Sequence, residues 1–323
     1  MPHAIRVHQT GGPEVLKWEE VAVGDPGPGQ AKIRQEAVGL NFIDVYHRTG
    51  LYPQQLPFTP GVEGAGVVET VGPDVTQVSV GDHVAYAGGT GGYAEERLID
   101  ADRLVKLPDA ITSEQAAAMM LQGMTAHMLL RSVYAVQDGD MILIHAAAGG
   151  VGLIMCQWAA ALGATVIGTV STEEKAELAR AHGCAHPIVY TRQDFVAEIA
   201  SLTAGEKLPV VYDGVGRDTF IKSLDCLHRR GTMVSYGNAS GPVDAFSPAI
   251  LAQKGSLFLT RPTLFDYVAT RPELERAAGD LFDMVLSGKV KIEVKQRFPL
   301  KDAAEAHRAL EARKTTGSTV LTV

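Results

Sequence analysis

Met141-Ile142-Leu143-Ile144-His145-Ala146-Ala147-Ala148-Gly149-Gly150-Val151-Gly152 is a short apolar run ending in a glycine-rich turn, and the amphipathic run Leu153 to Leu162 follows it. Strand, turn and helix in that order are what the first crossover of a dinucleotide-binding fold requires. Read as a fingerprint, Ala147-x-Gly149-x-x-Gly152 is G-x-G-x-x-G with alanine in the first slot. Gly149 lets a backbone approach a pyrophosphate, Gly152 lets the helix pack closely on the strand, and the helix N-terminus holds the phosphate charge. The pattern assigns Ala148, Gly149, Gly150, Val151 and Gly152 to a pyrophosphate site. The second strand, Ala164 to Val170, ends near the expected distance of about 20 residues. A tight turn in a parallel sheet, with no ligand, is the alternative reading.

The residue at the end of the second strand selects the cofactor. An NAD site places Asp or Glu there to bond the ribose hydroxyls. This chain has Ser171 instead, with Lys175 one helical turn later. A hydroxyl and an ammonium suit a 2′-phosphate better than a bare hydroxyl, so the reading is NADPH over NADH. Glu173 and Glu174 fit the first turn of a helix, where acids complement the dipole, and need not touch the ribose. The other reading of Lys175 is an ordinary solvated helix lysine.

At 323 residues the chain has room for two domains. A net charge of −8 argues against a dedicated nucleic-acid or anionic-membrane surface. Cys156, Cys184 and Cys226 are far apart and odd in number, which suits a reducing compartment and excludes a cysteine-based zinc knuckle. The N-terminus lacks a signal-peptide pattern, so a cytoplasmic location is expected. From Met141 to Thr172 there is no Asp, Glu, Lys or Arg, which a hydropathy window would flag as a membrane span. The adjacent glycines and the helix start in its middle argue instead for the core of a nucleotide domain, because parallel strands buried on both faces are continuously apolar.

The N-terminal third is rich in short β patterns separated by turn chemistry: Ala4 to Val7, Leu16 to Val23, Ala31 to Val38, Gly66 to Val71, His83 to Ala87 and Glu96 to Asp100. Such spacing suggests a barrel-like β domain. A helical pattern then runs from Ser113 to about Val133. From Met141, strand and helix alternate, with strands at 141–145, 165–170, 188–190, 210–213, 232–236 and 257–260 and helices such as Asp194 to Leu202 and Thr219 to Arg229. The fold class is α/β: a β domain plus a doubly wound domain with a six-stranded parallel sheet. Two helical stretches, Pro272 to Leu286 and Asp302 to Ala312, and a closing strand, Thr319 to Val323, are expected to return to the first domain. The expected division is 1–124 and 263–323 for the first domain, 125–262 for the second.

The chain resembles the quinone oxidoreductases, or zeta-crystallin-like enzymes, of the medium-chain dehydrogenase/reductase superfamily, over essentially its whole length. The resemblance rests on Asn41-Phe42-Ile43-Asp44-x-Tyr46-x-Arg48-x-Gly50-x-Tyr52, Pro60-Gly61-Val62-Glu63-Gly64-Ala65-Gly66 and Gln122-Gly123-Met124-Thr125-Ala126. It continues through the His145 to Gly152 turn, Val211-Tyr212-Asp213-Gly214-Val215-Gly216 and Gly237-Asn238-Ala239-Ser240-Gly241. It implies a GroES-like β domain, a Rossmann domain inserted between its two parts, a cofactor cleft between them, and a homodimer. In the zinc alcohol dehydrogenases of this superfamily a cysteine and a Gly-His-Glu motif supply catalytic ligands; here Asn41 and Val62 stand at those places, so no metal is expected. Alcohol oxidation then lacks its Lewis acid. Reduction of an electron-poor acceptor, a quinone or a conjugated enone, remains feasible.

By resemblance, Asn41 and Asp44 hold the nicotinamide ribose side of the cofactor, although Asn41 could simply cap the helix starting at Phe42. Tyr46 and Tyr52 carry hydroxyls and flat faces suited to stacking on a quinone, the other reading being half-buried packing. Arg48 is equally readable as a structural ion-pair partner. Tyr190 matches the family position beside the adenosine phosphate. Tyr236 and Asn238 end a strand at the carboxyl edge of the sheet, where ligands bind in open α/β folds. Arg313 matches a segment that reaches toward the cofactor, with surface solvation as its alternative. His145 reads as a buried histidine that fixes the turn. The function implied is a zinc-independent NADPH:quinone reductase whose partner is a small electron-poor molecule. An enone or alkenal reductase is the nearest alternative. A crystallin-like structural role or single-stranded RNA binding is the alternative of another class, and acidic charge without a basic-aromatic stripe counts against RNA.

Overall fold

The computed structural model describes residues 1–323. They form two compact units: Met1–Met124 with Val268–Leu286 and Ile292–Val323, and Thr125–Tyr267 with Ser287–Lys291.

The first unit is mainly antiparallel β. Strands β1 (His3–Val7) and β2 (Leu16–Glu20) pair with each other. Strands β3 (Gln30–Leu40), β4 (Glu63–Val71), β5 (His83–Ala87), β6 (Glu96–Asp100) and β7 (Val105–Lys106) build the larger sheet. Strand β3 is its hub: it pairs with β4 along one edge and with β6 and then the C-terminal strand along the other. Two apolar clusters result, one around Ile33, Val68, Val84 and Leu104, the other around Val7, Val38, Tyr93 and Leu321. The helix Phe42–Thr49 leaves the end of β3, and its last turn closes on Gly50 at φ 83°, a left-handed position that suits glycine.

The second unit carries β8 (Met141–Ile144), β9 (Thr165–Val170), β10 (Cys184–Val189), β11 (Leu208–Asp213), β12 (Leu227–Ser235) and β13 (Phe258–Thr260). Their order is β10-β9-β8-β11-β12-β13, and every pair is parallel. The sheet therefore reverses direction of growth between β8 and β11, and in such folds ligands gather at the carboxyl ends beside that reversal. The charge-free run 141–172 is β8, the helix Gly150–Ala161, β9 and the residues joining them. No helix is long and apolar enough to cross a membrane.

The chain then returns: β14 (Val294–Pro299) runs parallel to β15 (Ser318–Thr322), which pairs antiparallel with β3. Strand β14 escapes sequence reading because it is an edge strand of polar, half-exposed residues ending in proline, a pattern that argues against a strand. The helical pattern expected over 113–133 is three pieces, Ser113–Ala117, Met120–His127 and a π-helical turn Met128–Val133. The helix expected over 219–229 ends early, at Phe220–Ser223 plus a 3-10 turn, because Leu227 already begins β12. The second unit also extends past the expected residue 262 to Tyr267 and regains 287–291. There the Gln157 amide clasps Lys291, donating to its carbonyl at 3.1 Å and accepting its N–H at 2.8 Å.

Candidate active site

The glycine turn is built as the fingerprint requires, with one shift. The left-handed residue is Ala146, at φ 55°, one place before the alanine of the first slot. Ala147 and Ala148 are buried, and Gly149 is the N-cap of the helix Gly150–Ala161, with no side chain capping it. No acid stands in that helix's first turn, so its N–H groups and dipole face no competing carboxylate. A Cβ on Gly152 would lie 2.4 Å from the Ala146 carbonyl oxygen and 2.8 Å from Ala147 Cα, so the helix reaches the strand only as glycine. Gly149 has more room, its nearest contact being the same oxygen at 3.2 Å. His145 is wholly buried, with Nδ1 2.8 Å from Thr169 Oγ1 and Nε2 2.8 Å from Ser223 Oγ. Burial pushes its pKa down, which leaves a neutral ring bridging β8, β9 and the helix Phe220–Ser223.

At the end of β9, Thr172 caps the helix Glu173–Ala181, its Oγ1 accepting from the Lys175 N–H at 3.3 Å. Glu173 is paired with Arg192. Ser171 and Lys175 are half-buried. The neighbouring strand end is tied to this one: Tyr190 N–H donates to the Val170 carbonyl at 3.1 Å, and Thr191 Oγ1 to that of Ser171 at 3.0 Å. Tyr190 is 41% exposed and so is not part of the core. Ser171, Lys175 and Tyr190 thus share one corner, and Arg192 joins them, unmarked in the sequence because an arginine after a strand is unremarkable by itself.

Beyond the reversal point, buried Asp213 ends β11 and organises the next turn. Its carboxylate accepts the N–H groups of Val215 and Gly216 at 2.8 and 3.0 Å and the Thr219 hydroxyl at 2.7 Å. The loop after β12 lies against this turn, since a Cβ on Gly237 would meet the Gly214 oxygen at 2.4 Å. Tyr236 and Asn238 are half-buried there.

The remaining residues belong to the first unit. Asn41 stands at the N-cap of Phe42–Thr49, yet its side chain does not simply cap the helix. Nδ2 donates to Glu63 Oε2 at 2.7 Å, and Oδ1 accepts from Gln122 Nε2 at 3.0 Å. Asp44, expected on the ribose side of the cofactor, is wholly buried. Its carboxyl accepts the Asn41 N–H at 2.8 Å and the Tyr93 hydroxyl at 3.1 Å, and burial pushes its pKa up to about 7. Behind it, Tyr93 OH meets His307 Nε2 at 3.1 Å, and His307 Nδ1 meets Arg48 Nη1 at 3.0 Å. Burial and the Arg48 charge drive His307 down to about 3, so its ring is neutral. Arg48 is 1% exposed and pairs with Glu311 at 2.8 Å, which makes it structural.

Tyr46 and Tyr52 meet edge to face with ring centroids 5.1 Å apart, and the Tyr52 N–H donates to the Tyr46 carbonyl. Tyr46 is nearly buried and Tyr52 half-exposed, so the pair offers one aromatic wall with a single accessible ring. Arg313 is exposed and left-handed at φ 58°, on the turn leading to β15. Sequence reading missed Glu63 and Gln122 as partners of Asn41. The available signal was a lone carboxylate inside Val62-Glu63-Gly64-Ala65-Gly66, where an unpaired charge would be costly.

Residues 27–109 match the alcohol dehydrogenase GroES-like domain, and residues 150–279 match the zinc-binding dehydrogenase family. The chain is 52% identical to a quinone oxidoreductase of Pseudomonas aeruginosa over 99% of each chain. It is 48% identical to a 2-haloacrylate reductase of a Burkholderia species, again over 99% of each. A crystal structure of the Escherichia coli quinone oxidoreductase complexed with NADPH superposes with a TM-score of 0.98 at 48% identity, covering 99% of this chain and 100% of that one.

Proposed function

This chain belongs to the quinone oxidoreductase family of the medium-chain dehydrogenases/reductases, and on that premise we propose that it reduces quinones with NADPH and without a metal ion. The observation that carries the reading is the full-length likeness to an enzyme crystallised with NADPH. It is joined by Ser171 and Lys175 standing where an NAD site has an acid. The chain's own cradle fits that cofactor: an uncapped helix N-terminus at Gly149, no acid in the first turn, and close strand–helix packing at Gly152.

When bound, the nicotinamide supplies a hydride from C4 to the acceptor. The chain's residues bind and orient. Gly149 to Gly152 take the pyrophosphate on backbone N–H groups. Ser171, Lys175 and Tyr190 take the adenosine phosphate, Lys175 supplying the full positive charge. Tyr236, Asn238 and Arg313 are assigned to the rest of the cofactor's length, and Asn41 to its nicotinamide ribose. Asp44 is assigned a supporting place behind Asn41. Tyr46 and Tyr52 present an aromatic face to the quinone and help exclude water, so catalysis is alignment rather than strong acid chemistry. The oxyanion left by hydride addition takes a proton from Tyr52 or from solvent. Val62 offers no donor atom and the Asn41 amide is committed to Glu63 and Gln122, a poor set for a tetrahedral zinc site.

The likeness to a 2-haloacrylate reductase favours a second reading, reduction of an activated carbon–carbon double bond in the same site. Titration with NADPH and NADH, followed by turnover of the better binder with 1,4-benzoquinone, 9,10-phenanthrenequinone and 2-chloroacrylate, separates the two. Quinone turnover supports the first reading and acrylate turnover alone the second. Failure to bind either nucleotide defeats both. We further propose a homodimer, supported by β13, an edge strand that exposes Phe258 and Leu259 (58% and 36%). Three free, buried cysteines suit the cytoplasm.

A further inference from the structure

The Asn41 amide is one link in a longer chain of hydrogen bonds within the first unit. Glu63 is wholly buried; its Oε1 accepts the Leu121 N–H at 2.7 Å while Oε2 faces Asn41 Nδ2 at 2.7 Å. Asn41 Oδ1 faces Gln122 Nε2 at 3.0 Å, and Gln122 Oε1 faces Ser318 Oγ at 2.7 Å. The same Ser318 oxygen lies 2.8 Å from the Ala118 carbonyl. A hydroxyl has one hydrogen, so Ser318 donates to Gln122 or to Ala118, not to both. The place for the carboxyl is built into the backbone: a Cβ on Gly39 would lie 2.2 Å from Glu63 Oε2 and 2.3 Å from the Ala117 oxygen.

Turning an amide over exchanges its NH2 and C=O without changing its shape. Two complete donor sets therefore fit these atoms. With Glu63 ionised, hydrogens point from Ser318 to Gln122, from Gln122 to Asn41, and from Asn41 to Glu63. With Glu63 neutral, its Oε2–H donates to a turned Asn41 Oδ1, Asn41 Nδ2 to a turned Gln122 Oε1, Gln122 Nε2 to Ser318, and Ser318 to Ala118. A mixed state either strands a buried hydrogen without an acceptor or sets two acceptor oxygens face to face, at a cost of about 1–3 kcal/mol. The chain thus reverses as a unit. We propose that Glu63 is a positioning residue whose charge sets, through paired flips of Asn41 and Gln122, the direction in which Asn41 presents its donor to the nicotinamide end of the cofactor. The inference rests on the assignment of Asn41 to the cofactor site.

Burial, with a contribution from the Asp44 charge, raises the Glu63 pKa to about 8 against the opposing bonds from Asn41 and Leu121. The groups facing Glu63 are Asp44 from the helix Phe42–Thr49, Tyr86 from β5 and Tyr93 from the segment before β6. Arg97 of β6 lies 4.7 Å over the Tyr86 ring. Both tyrosines are pushed above their ordinary range, so neither titrates in the same window. Asp44 is the competing titrating group.

The sequence supplies a clean probe, because Asn41 and Asn238 are its two asparagines. In protein labelled with 15N-asparagine and free of nucleotide, the Asn41 side-chain NH2 pair should shift in one transition between about pH 6.5 and about pH 9.5, while the Asn238 pair stays put. Glu63→Gln, whose amide donates as the neutral acid does, should hold Asn41 at its low-pH position throughout. Asp44→Asn should keep the transition. A wild-type Asn41 pair that does not move while the protein stays folded overturns the proposal, as does a transition lost in Asp44→Asn and kept in Glu63→Gln. Over the same range the NADPH Kd should change by about threefold or more in wild type and stay flat in Glu63→Gln. An amide transition that the Kd ignores overturns the positioning role. Absence of NADPH binding at every pH defeats the cofactor assignment itself.

Discussion

The proposed choice of NADPH over NADH rests on single side chains at the end of β9. Lys175 is half-buried and anchored by its own backbone to the Thr172 cap, so its ammonium is presented from a fixed turn rather than from a loop. Glu173, the acid that could have favoured NADH, is paired with Arg192. A charge-assisted bond from a partly exposed lysine to a phosphate contributes about 1.5 kcal/mol, or roughly tenfold in affinity. Lys175→Ala should therefore raise the NADPH Kd about tenfold and leave the NADH Kd within about twofold, as read by nucleotide fluorescence. An equal loss for both nucleotides would place Lys175 away from the 2′-phosphate.

Secondary-structure elements set the next level. The helix Gly150–Ala161 is almost uniformly apolar, and its approach to β8 depends on Gly152. Gly152→Ala places a methyl group against backbone that cannot yield, which costs about 1–3 kcal/mol. It should lower the thermal midpoint and abolish NADPH binding, whereas Gly149→Ala, with 3.2 Å to its nearest neighbour, should be the milder change. The elements around Phe42–Thr49 carry a pH signature. Burial raises Asp44 from its ordinary 3.8 to about 7 and Glu63 from 4.5 to about 8. The folded state therefore holds those protons longer than the unfolded chain, and their contribution is lost as pH rises through about 7 and 8. His47 and His307 run the other way: their folded values of about 4 and 3 lie below 6.5, so their contribution is full above 6.5 and is lost as pH falls. Between pH 6.5 and 8 the carboxyls act without opposition from these histidines, so the thermal midpoint should fall over that interval. Asp44→Asn should flatten the earlier part of the fall; a midpoint that rises instead would contradict the burial of both acids.

For the whole molecule, the proposed dimer is the quantity most open to test. Strand β13 has β12 on one side and nothing on the other, and it exposes Phe258 at the position paired with Thr232. An open, apolar edge invites pairing with another strand, and a charge there opposes it. Phe258→Lys should convert a dimer of the wild-type chain to monomers in sedimentation velocity without lowering NADPH affinity. A wild-type monomer would remove β13 as an interface.

Much of this architecture is local and so was legible in the chain. Strand periodicity, the glycine turn at 146–152 and the missing acid at Ser171 depend on neighbours in sequence, and they pointed to a doubly wound sheet and to NADPH as the expected cofactor. The acids Glu173 and Glu174 marked the first turn of the next helix, and the segment resemblances led to the family. What depends on residues far apart was decided only by the tertiary structure. Asp44 was read as a ligand from its neighbours in sequence, and the structure shows its buried carboxyl beside Tyr93, 49 residues away, whose hydroxyl donates to it. Glu63, Gln122 and Ser318 meet Asn41 across separations of 22, 81 and, through Gln122, 196 residues. Strand β14, polar and proline-ended, is held by β15 rather than by its own propensity. A hydrogen bond between distant residues leaves no period or spacing in sequence, whereas a buried charge left without it would be costly enough to unfold the site.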